Sequence, residues 1–283
     1  MKSEPLNLVN GKILTLDDSC PIADNLTIKN NRIYTLNKPN SSFKKINLNG
    51  AIVIPGFIDA HFHITNLGKR LDMINLKNIN SSNEIVSIIL EKSKTANPGE
   101  WIQGFGWDQN LWPAKDFPLA DELNKLNINN PIFLTRIDGH CAWVNDYALN
   151  LANIDLSVSI SGGSFINDCI LVDNAMDLLK KQLPSDSKKL IKKWIMTASD
   201  YIVKNGIVNV HDAWQSPDII ESIIELVEEE KLPMRCYGMI GASFTDYIKE
   251  FFSKGHYSGK QYRVRAVKAF IDGALGSRGA ALH

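Results

Sequence analysis

Apolar and polar residues alternate in short runs over the first fifty residues of the chain. Four of these runs are typical of strands, at residues 6–9, 12–15, 25–29 and 32–36. Asn10-Gly11 and Asn30-Asn31 separate strands, and such residues accept the backbone conformations of tight turns. The pattern predicts a small β-module over residues 1–52, which is too short to bury a core alone.

From residue 53 the spacing of apolar residues changes to that of alternating strands and helices, typical of a parallel α/β architecture. Ser81 is expected to cap one helix, Ser216-Pro217 to begin another, and Asn205-Gly206 to end a helix that begins near residue 186. Strands are expected at residues 207–210, 234–240 and 264–271.

Residues 98–185 follow neither pattern. Pro, Gly, Asn and Trp interrupt short strands such as residues 132–135, and the segment is interpreted as a long irregular insertion on a barrel rim. The remaining elements of residues 53–283 make about four βα units. We therefore predict an α/β fold that contains a partial TIM (β/α)8 barrel.

Composition excludes several classes of function. The 283 residues carry a formal net charge of zero, without the basic excess that nucleic acid or anionic membranes usually select. No apolar run reaches the length of a membrane span, and residues 1–5 lack the apolar core of a signal peptide. The four cysteines form no C-x-x-C pair, so a cytoplasmic protein with reduced thiols is expected.

The stretch IVIPGFIDAHFHI, residues 52–64, is the strongest candidate for chemistry. Residues i and i+2 of a strand project from one face, so His61 and His63 can both point inward at the end of the first barrel strand. Two imidazoles in that position can ligate one metal ion. The H-x-H pattern by itself also fits one core histidine beside one solvated histidine.

PGFIDAHFH resembles the first-strand signature of the amidohydrolase superfamily. Three later stretches match in the right order: RIDGHCAWVN at residues 136–145, GIVNVHDA at 206–213 and VKAFIDGALGSR at 267–278. Together they are similar to the YtcJ-like branch, amidohydrolase family 3, and the resemblance covers its N-terminal portion.

The resemblance implies a metal-dependent hydrolase of non-peptide carbon–nitrogen bonds, acting on amides or cyclic amides through a metal-activated hydroxide. One or two divalent ions, Zn²⁺ first, would be held by His61, His63 and Lys268. In similar enzymes the lysine is carboxylated by carbon dioxide, and Lys268 is expected on the same strand face as Val264 and Ala266. An ion pair between Lys268 and Asp272 or another carboxylate is the alternative.

Further residues are candidates for the substrate pocket. His140 could contact substrate, with Asp138 and Arg136 supporting its loop, although a structural turn explains the three residues equally well. His211 is expected at the rim end of the second barrel strand, with Asp212 capping the turn. Trp107 could roof the pocket or simply pack in a core.

The family places two more histidine ligands and a proton-shuttling aspartate on strands beyond the fourth. We therefore expect the chain to be a fragment of a protein nearly twice as long, in which later strands complete the β-module into a β-sandwich. The alternatives are an esterase or a deaminase on the same scaffold, or an inactive half-barrel that assembles with a partner. A small-molecule substrate is expected in each catalytic case, and self-association stays open.

Overall fold

The computed structural model describes residues 4–184 and 186–271. The described strands form four sheets, of four, three, six and five strands, accompanied by helices. The mixed α/β fold predicted from the sequence is confirmed. No closed barrel is present among these residues, so the partial barrel stays a prediction.

The N-terminal module consists of two small sheets. Its strands are β1 (Leu6–Val9), β2 (Lys12–Leu14), β3 (Ile22–Ala23), β4 (Leu26–Lys29), β5 (Arg32–Leu36), β6 (Lys44–Asn47) and β7 (Ile52–Val53). The sheet orders are β5-β4-β1-β6 and β3-β2-β7. Ile13, Ala23 and Leu26 form the small core that the sheets share. Asn10, Asn30 and Asn31 adopt positive φ angles, which confirms the predicted turns.

Strand β8 (Phe57–Phe62) carries the histidine motif, and helix α1 (Ile64–Asp72) follows directly after His63. Helix α1 was not predicted from the sequence. Gly68 lies where α1 crosses a later helix, and a Cβ atom at this position would be 2.0 Å from the carbonyl oxygen of Trp194. Glycine therefore permits a backbone contact that any larger residue would block.

The next segment of the chain builds the six-stranded sheet. Its elements are β9 (Ile74–Asn75), α2 (Ser82–Ser93), β10 (Ile102–Trp107), a 3-10 helix (Gln109–Leu111), α3 (Ala120–Asn124), β11 (Ile132–Arg136), β12 (Cys141–Val144), α4 (Asp146–Leu151), β13 (Gly163–Ile166), β14 (Ile170–Asp173) and α5 (Met176–Lys180). The strand order is β13-β14-β12-β11-β10-β9. The prediction that residues 98–185 are irregular is therefore wrong.

Burial on both faces explains why these strands were missed. Leu134, Trp143 and Ile170 pack into one core, while Phe133 and Leu171, on the same strands, pack into another on the opposite face. A strand covered on both sides shows a continuous apolar run in place of alternation. Four-residue runs of this kind, broken by Gly and Asn, do not show the period of two that marks a half-buried strand.

The remaining elements complete the five-stranded sheet. They are α6 (Lys188–Lys204), β15 (Ile207–Gln215), α7 (Pro217–Glu228), β16 (Arg235–Gly241), α8 (Thr245–Ser253), β17 (Tyr257–Ser258) and β18 (Tyr262–Lys268). The strand order is β17-β18-β16-β15-β8. Every neighbouring pair of strands is parallel except the pair of β17 with β18, which is antiparallel.

The predicted ends of these helices are confirmed. The hydroxyls of Ser187 and Ser216 accept hydrogen bonds from backbone amides in the first turns of α6 and α7. Gly206 follows α6 with a φ angle of 82°, in the left-handed region that glycine favours. Both helices cover one face of the sheet, where Ile195, Ile223 and Val264 belong to one core.

The other face of the sheet is more open to solvent and carries four of the candidate residues, His61, His63, His211 and Lys268. Within the described ranges, no helix has both the length and the apolar character required to cross a bilayer.

Candidate active site

His61 and His63 lie at the carboxyl end of β8, on the open face of the sheet. Phe62, between them, packs against the core on the helix side, so the two flanking histidines point the opposite way. Their ring centroids are 5.5 Å apart, with an interplanar angle of 77°. The i, i+2 geometry expected from the sequence is therefore present.

Lys268 lies at the end of β18 on the same open face. It pairs with Gly241 at the end of the neighbouring parallel strand β16. Its placement agrees with the sequence prediction, and so does the grouping with Ala266 on one face, but the predicted grouping with Val264 is wrong.

A β-bulge accounts for the difference. Gly238 pairs with Val264, whereas the next residue, Met239, pairs with Ala266, so Arg265 is an extra residue in β18. Val264 is consequently buried in the helix-side core, while Lys268 points to the opposite face. Asp272, the alternative partner of Lys268, lies outside the described residues.

The pKa of His63 is lowered by its surroundings. Burial lowers this pKa most, and the neighbouring positive charges of His61 and Lys268 lower it further. His63 is therefore biased towards the neutral imidazole, the form that binds metal ions.

Two of the three residues fit a metal site directly. The histidines have imidazole lone pairs, whereas a lysine ammonium has only donor hydrogens and could provide oxygen ligands only after carboxylation. Over the described ranges, no cluster of three or more His, Cys, Asp or Glu side chains is positioned to hold an ion. The described donor set is thus a histidine pair beside one lysine.

Asp212 is a buried carboxylate beside this pair, a position that was not predicted from the sequence. Its Oδ1 accepts a hydrogen bond from the backbone N–H of Ile64 at 3.4 Å and lies 4.0 Å from Nδ1 of His63. Its Oδ2 accepts a hydrogen bond from the Gln215 amide at 2.8 Å. Burial raises the pKa of Asp212 to about 7, although both hydrogen bonds oppose the increase. The predicted turn-capping role is wrong, because the strand continues to Gln215.

Two aromatic residues lie beside Lys268. Its Nζ is 5.3 Å from the centroid of the Phe270 ring, and the Trp214 ring is 5.0 Å from the same ring. Phe270 is 66% exposed. These residues form an apolar wall that an uncharged part of a substrate could contact, and the sequence analysis had not selected either of them.

His211 lies in the middle of β15, four positions before its last residue, and not at the rim. Its ring lies beside the Tyr237 ring, with the centroids 5.3 Å apart and the planes tilted by 50°. Together with Arg235 and Arg263 it lines an open concavity of about 1770 Å³ that lies along the starts of the parallel strands. Barrel active sites form at the opposite, carboxyl ends, so the expected position of His211 is corrected.

Arg136, Asp138 and His140 form a rigid turn between β11 and β12. The Arg136 guanidinium binds the Asp138 carboxylate through two nitrogens, and Asp138 also accepts the backbone N–H of His140 at 3.0 Å. The ion pair holds the pKa of Asp138 below its usual value. Nδ1 of His140 lies 2.7 Å from Asp173, and the ring is mostly exposed.

Trp107 is fully buried in the core of the six-stranded sheet. Its indole N–H donates to the carbonyl of Leu134 at 2.7 Å, and its ring stacks on Trp112. Its predicted role as a roof over the substrate pocket is therefore wrong, and the competing prediction of core packing is confirmed.

Comparison with known proteins identifies the family. The sequence model of the amidohydrolase family matches residues 44–283, which is most of the chain. The chain belongs to the amidohydrolase family. The resemblance seen in the four sequence motifs is thereby confirmed.

Two curated relatives and one solved structure extend this result. The chain is 28% identical to the Arabidopsis thaliana protein LONG AFTER FAR-RED 3, with 98% of this chain and 52% of the relative aligned. It is also 28% identical to YtcJ of Bacillus subtilis, with 84% and 47% aligned. An uncharacterized metal-dependent hydrolase from Pyrococcus furiosus superposes with a TM-score of 0.76 at 26% identity, covering 97% of this chain and 58% of that one. The chain spans about half the length of these curated relatives.

Proposed function

We propose that this amidohydrolase-family chain provides part of the metal site of a hydrolase that cleaves carbon–nitrogen bonds other than peptide bonds. The supporting observation is the position of His61, His63 and Lys268 on one sheet face at the carboxyl ends of two parallel strands. The lowered pKa of His63 adds to this support, because neutral imidazole is the ligand form.

The proposed architecture is a partial (β/α)8 barrel over residues 53–283, with the β-module as part of a composite β-sandwich. The parallel strands β8, β15, β16 and β18 follow one another in both sequence and space, as consecutive barrel units do. The six-stranded sheet is the insertion between the first two of them.

The proposed ligands are the imidazoles of His61 and His63 and a carbamate on Lys268. Carbamate formation joins the nitrogen of the neutral Lys268 amine to the carbon of carbon dioxide and releases one proton, which leaves one negative charge shared by two oxygens. These oxygens would offset the positive charges that His63 now faces. When bound, a divalent ion such as Zn²⁺ activates water for attack and polarises the substrate carbonyl.

Amides and cyclic amides are the proposed substrates. The wall of Phe270 and Trp214 beside Lys268 supports an apolar group next to the reacting bond. His140 is the proposed polar contact, since its hydrogen bond to Asp173 fixes its ring and Asp138 holds its backbone N–H.

Metal analysis tests the proposal. We expect the purified protein to bind Zn²⁺, and His61→Ala, His63→Ala and Lys268→Ala each to weaken binding at least tenfold. His256→Ala, far along the sequence from the motif, is the matched control and should leave binding unchanged. Equal metal content in all variants would contradict the ligand assignment.

A labelled carbon dioxide experiment tests the carbamate separately. A ¹³C NMR signal from a carbamate should appear in the wild type with ¹³C-bicarbonate and be missing in Lys268→Arg.

Turnover of N-acyl amines, cyclic amides and esters by the metal-loaded protein separates the hydrolase classes. His140→Ala should raise KM without loss of metal.

A further inference from the structure

A chain of buried polar side chains lies directly behind the histidine pair. Asp212 and Gln215 of β15 and Tyr262 of β18 are each at most 1% exposed. Asp212 accepts a hydrogen bond from the Gln215 amide nitrogen, and the Gln215 carbonyl oxygen accepts one from the Tyr262 hydroxyl at 2.5 Å. Burying a carboxylate costs desolvation free energy, and hydrogen bonds to the carboxylate offset part of this cost. The same hydrogen bonds fix the carboxylate in one orientation.

Glycine at position 238 makes room for this chain. A Cβ atom there would be 2.0 Å from the Gln215 carbonyl oxygen and 2.6 Å from the Tyr262 oxygen. The backbone of β16 thus passes directly against the two side chains and closes them in. The network connects β15 and β18 across the intervening strand, and Asp212 is the end of the network that lies nearest His63.

Asp212, at the end of this network, faces His63. Oδ1 of Asp212 binds the backbone N–H of Ile64, the residue after His63, and lies 4.0 Å from the Nδ1 atom of His63 itself. That distance is longer than a hydrogen bond, but Oδ1 is on the Nδ1 side of the ring. The partner of one ring nitrogen decides which nitrogen remains available as a ligand.

We propose that Asp212 is a positioning residue of the metal site, which accepts a hydrogen bond from the Nδ1–H of His63 and so directs Nε2 to the ion. The inference rests on the proposed function, because it concerns the same site. Gln215 and Tyr262 hold the carboxylate from behind, and the bond to Ile64 fixes the start of α1. Asp212 acts through His63 and does not itself contact substrate.

Zn²⁺ affinity, measured by competition with a chromophoric chelator, tests the proposal in the full chain. We expect Asp212→Asn to bind Zn²⁺ about 10–100-fold more weakly than the wild type, the usual effect of losing such a carboxylate. Asp218→Asn is the matched control, because it makes the same substitution at an exposed position in the first turn of α7. It should leave Zn²⁺ affinity within about threefold of the wild type.

A second measurement needs no variant. In the Zn²⁺-loaded wild type, ¹⁵N NMR of the histidine rings should show His63 protonated at Nδ1 and metal-bound at Nε2. Ligation through Nδ1, or equal Zn²⁺ affinity of folded Asp212→Asn and wild type, overturns the positioning role. Failure of the wild type to bind Zn²⁺ overturns the proposed metal site itself, so the two failures are distinguishable.

Discussion

At the residue scale, the chemistry of the candidate site depends on which groups are buried beside one another. His63 is pushed towards its neutral form by burial and by two neighbouring positive charges. Asp212 is pushed in the same direction, because burial raises its pKa to about 7. Burial is the main cause of both shifts, and it depends on packing between distant parts of the chain, so neither shift follows from local sequence alone.

Burial also decides which cysteines can react. Cys169 is fully buried, its thiol donates to the carbonyl of Pro118, and burial raises its pKa to about 12. At pH 8 only about one Cys169 in ten thousand would be a thiolate, the reactive form. Cys20 is the partly exposed member of the four free cysteines, and the others are buried.

We therefore expect iodoacetamide at pH 8 to label Cys20 in the folded protein and to leave Cys169 unmodified. Peptide mass spectrometry measures both sites in one sample. The same reaction in urea should label all four cysteines, which controls for detection. Labelling of Cys169 as fast as Cys20 without denaturant would contradict the described packing.

At the element scale, the contact between α1 and α6 positions the helix that begins at the histidine pair. Gly68 packs against the backbone of Trp194, the Trp194 indole N–H donates to Asp72, and Lys193 pairs with the same carboxylate. These interactions connect the end of α1 to α6. The packing therefore orients His63, which lies directly before α1.

Gly68→Ala tests this contact. Helix propensity alone would favour alanine by about 1 kcal/mol, but the added Cβ would collide with a carbonyl oxygen that cannot rotate away. We expect the collision to dominate and to reduce the free energy of unfolding by about 1–3 kcal/mol, measured by urea denaturation. Asn66→Ala, on the exposed side of α1, is the control and should be neutral or slightly stabilising. A stabilised Gly68→Ala protein would show that the helices are farther apart.

At the scale of the whole molecule, the six-stranded and five-stranded sheets have separate apolar cores. Leu134 and Trp143 belong to the first, and Ile195 and Ile223 belong to the second. Each core is built largely from its own stretch of chain. Such units can open independently, because few buried apolar contacts connect them.

Hydrogen exchange can test this independence. Leu134→Ala should destabilise its sheet by about 2–5 kcal/mol and accelerate amide exchange in β10–β14, while β15–β18 keep their protection. Ile223→Ala is the reciprocal variant and should accelerate exchange in β15–β18 alone. Uniform acceleration across both sheets in either variant would mean that the chain unfolds as one cooperative unit.

Much of the architecture was predictable where the sequence signal is local. The caps at Ser81 and Ser216, the glycine after α6 and the asparagine turns all depend on a few neighbouring residues, and the structure agrees with each. The i, i+2 spacing of His61 and His63 is equally local. The four motifs were also sufficient to identify the amidohydrolase family.

Tertiary structure decided the rest, because the relevant forces join residues that are distant in sequence. The bulge at Arg265 brings Lys268 to the histidine face although simple alternation groups it with the buried Val264. Burial on both sides hides the strands of the six-stranded sheet and places Trp107 in a core. Asp212 faces His63 only because the parallel strands β8 and β15 pair in one register. The sequence by itself determined the ligand types and the helix ends, while packing determined which side chains meet.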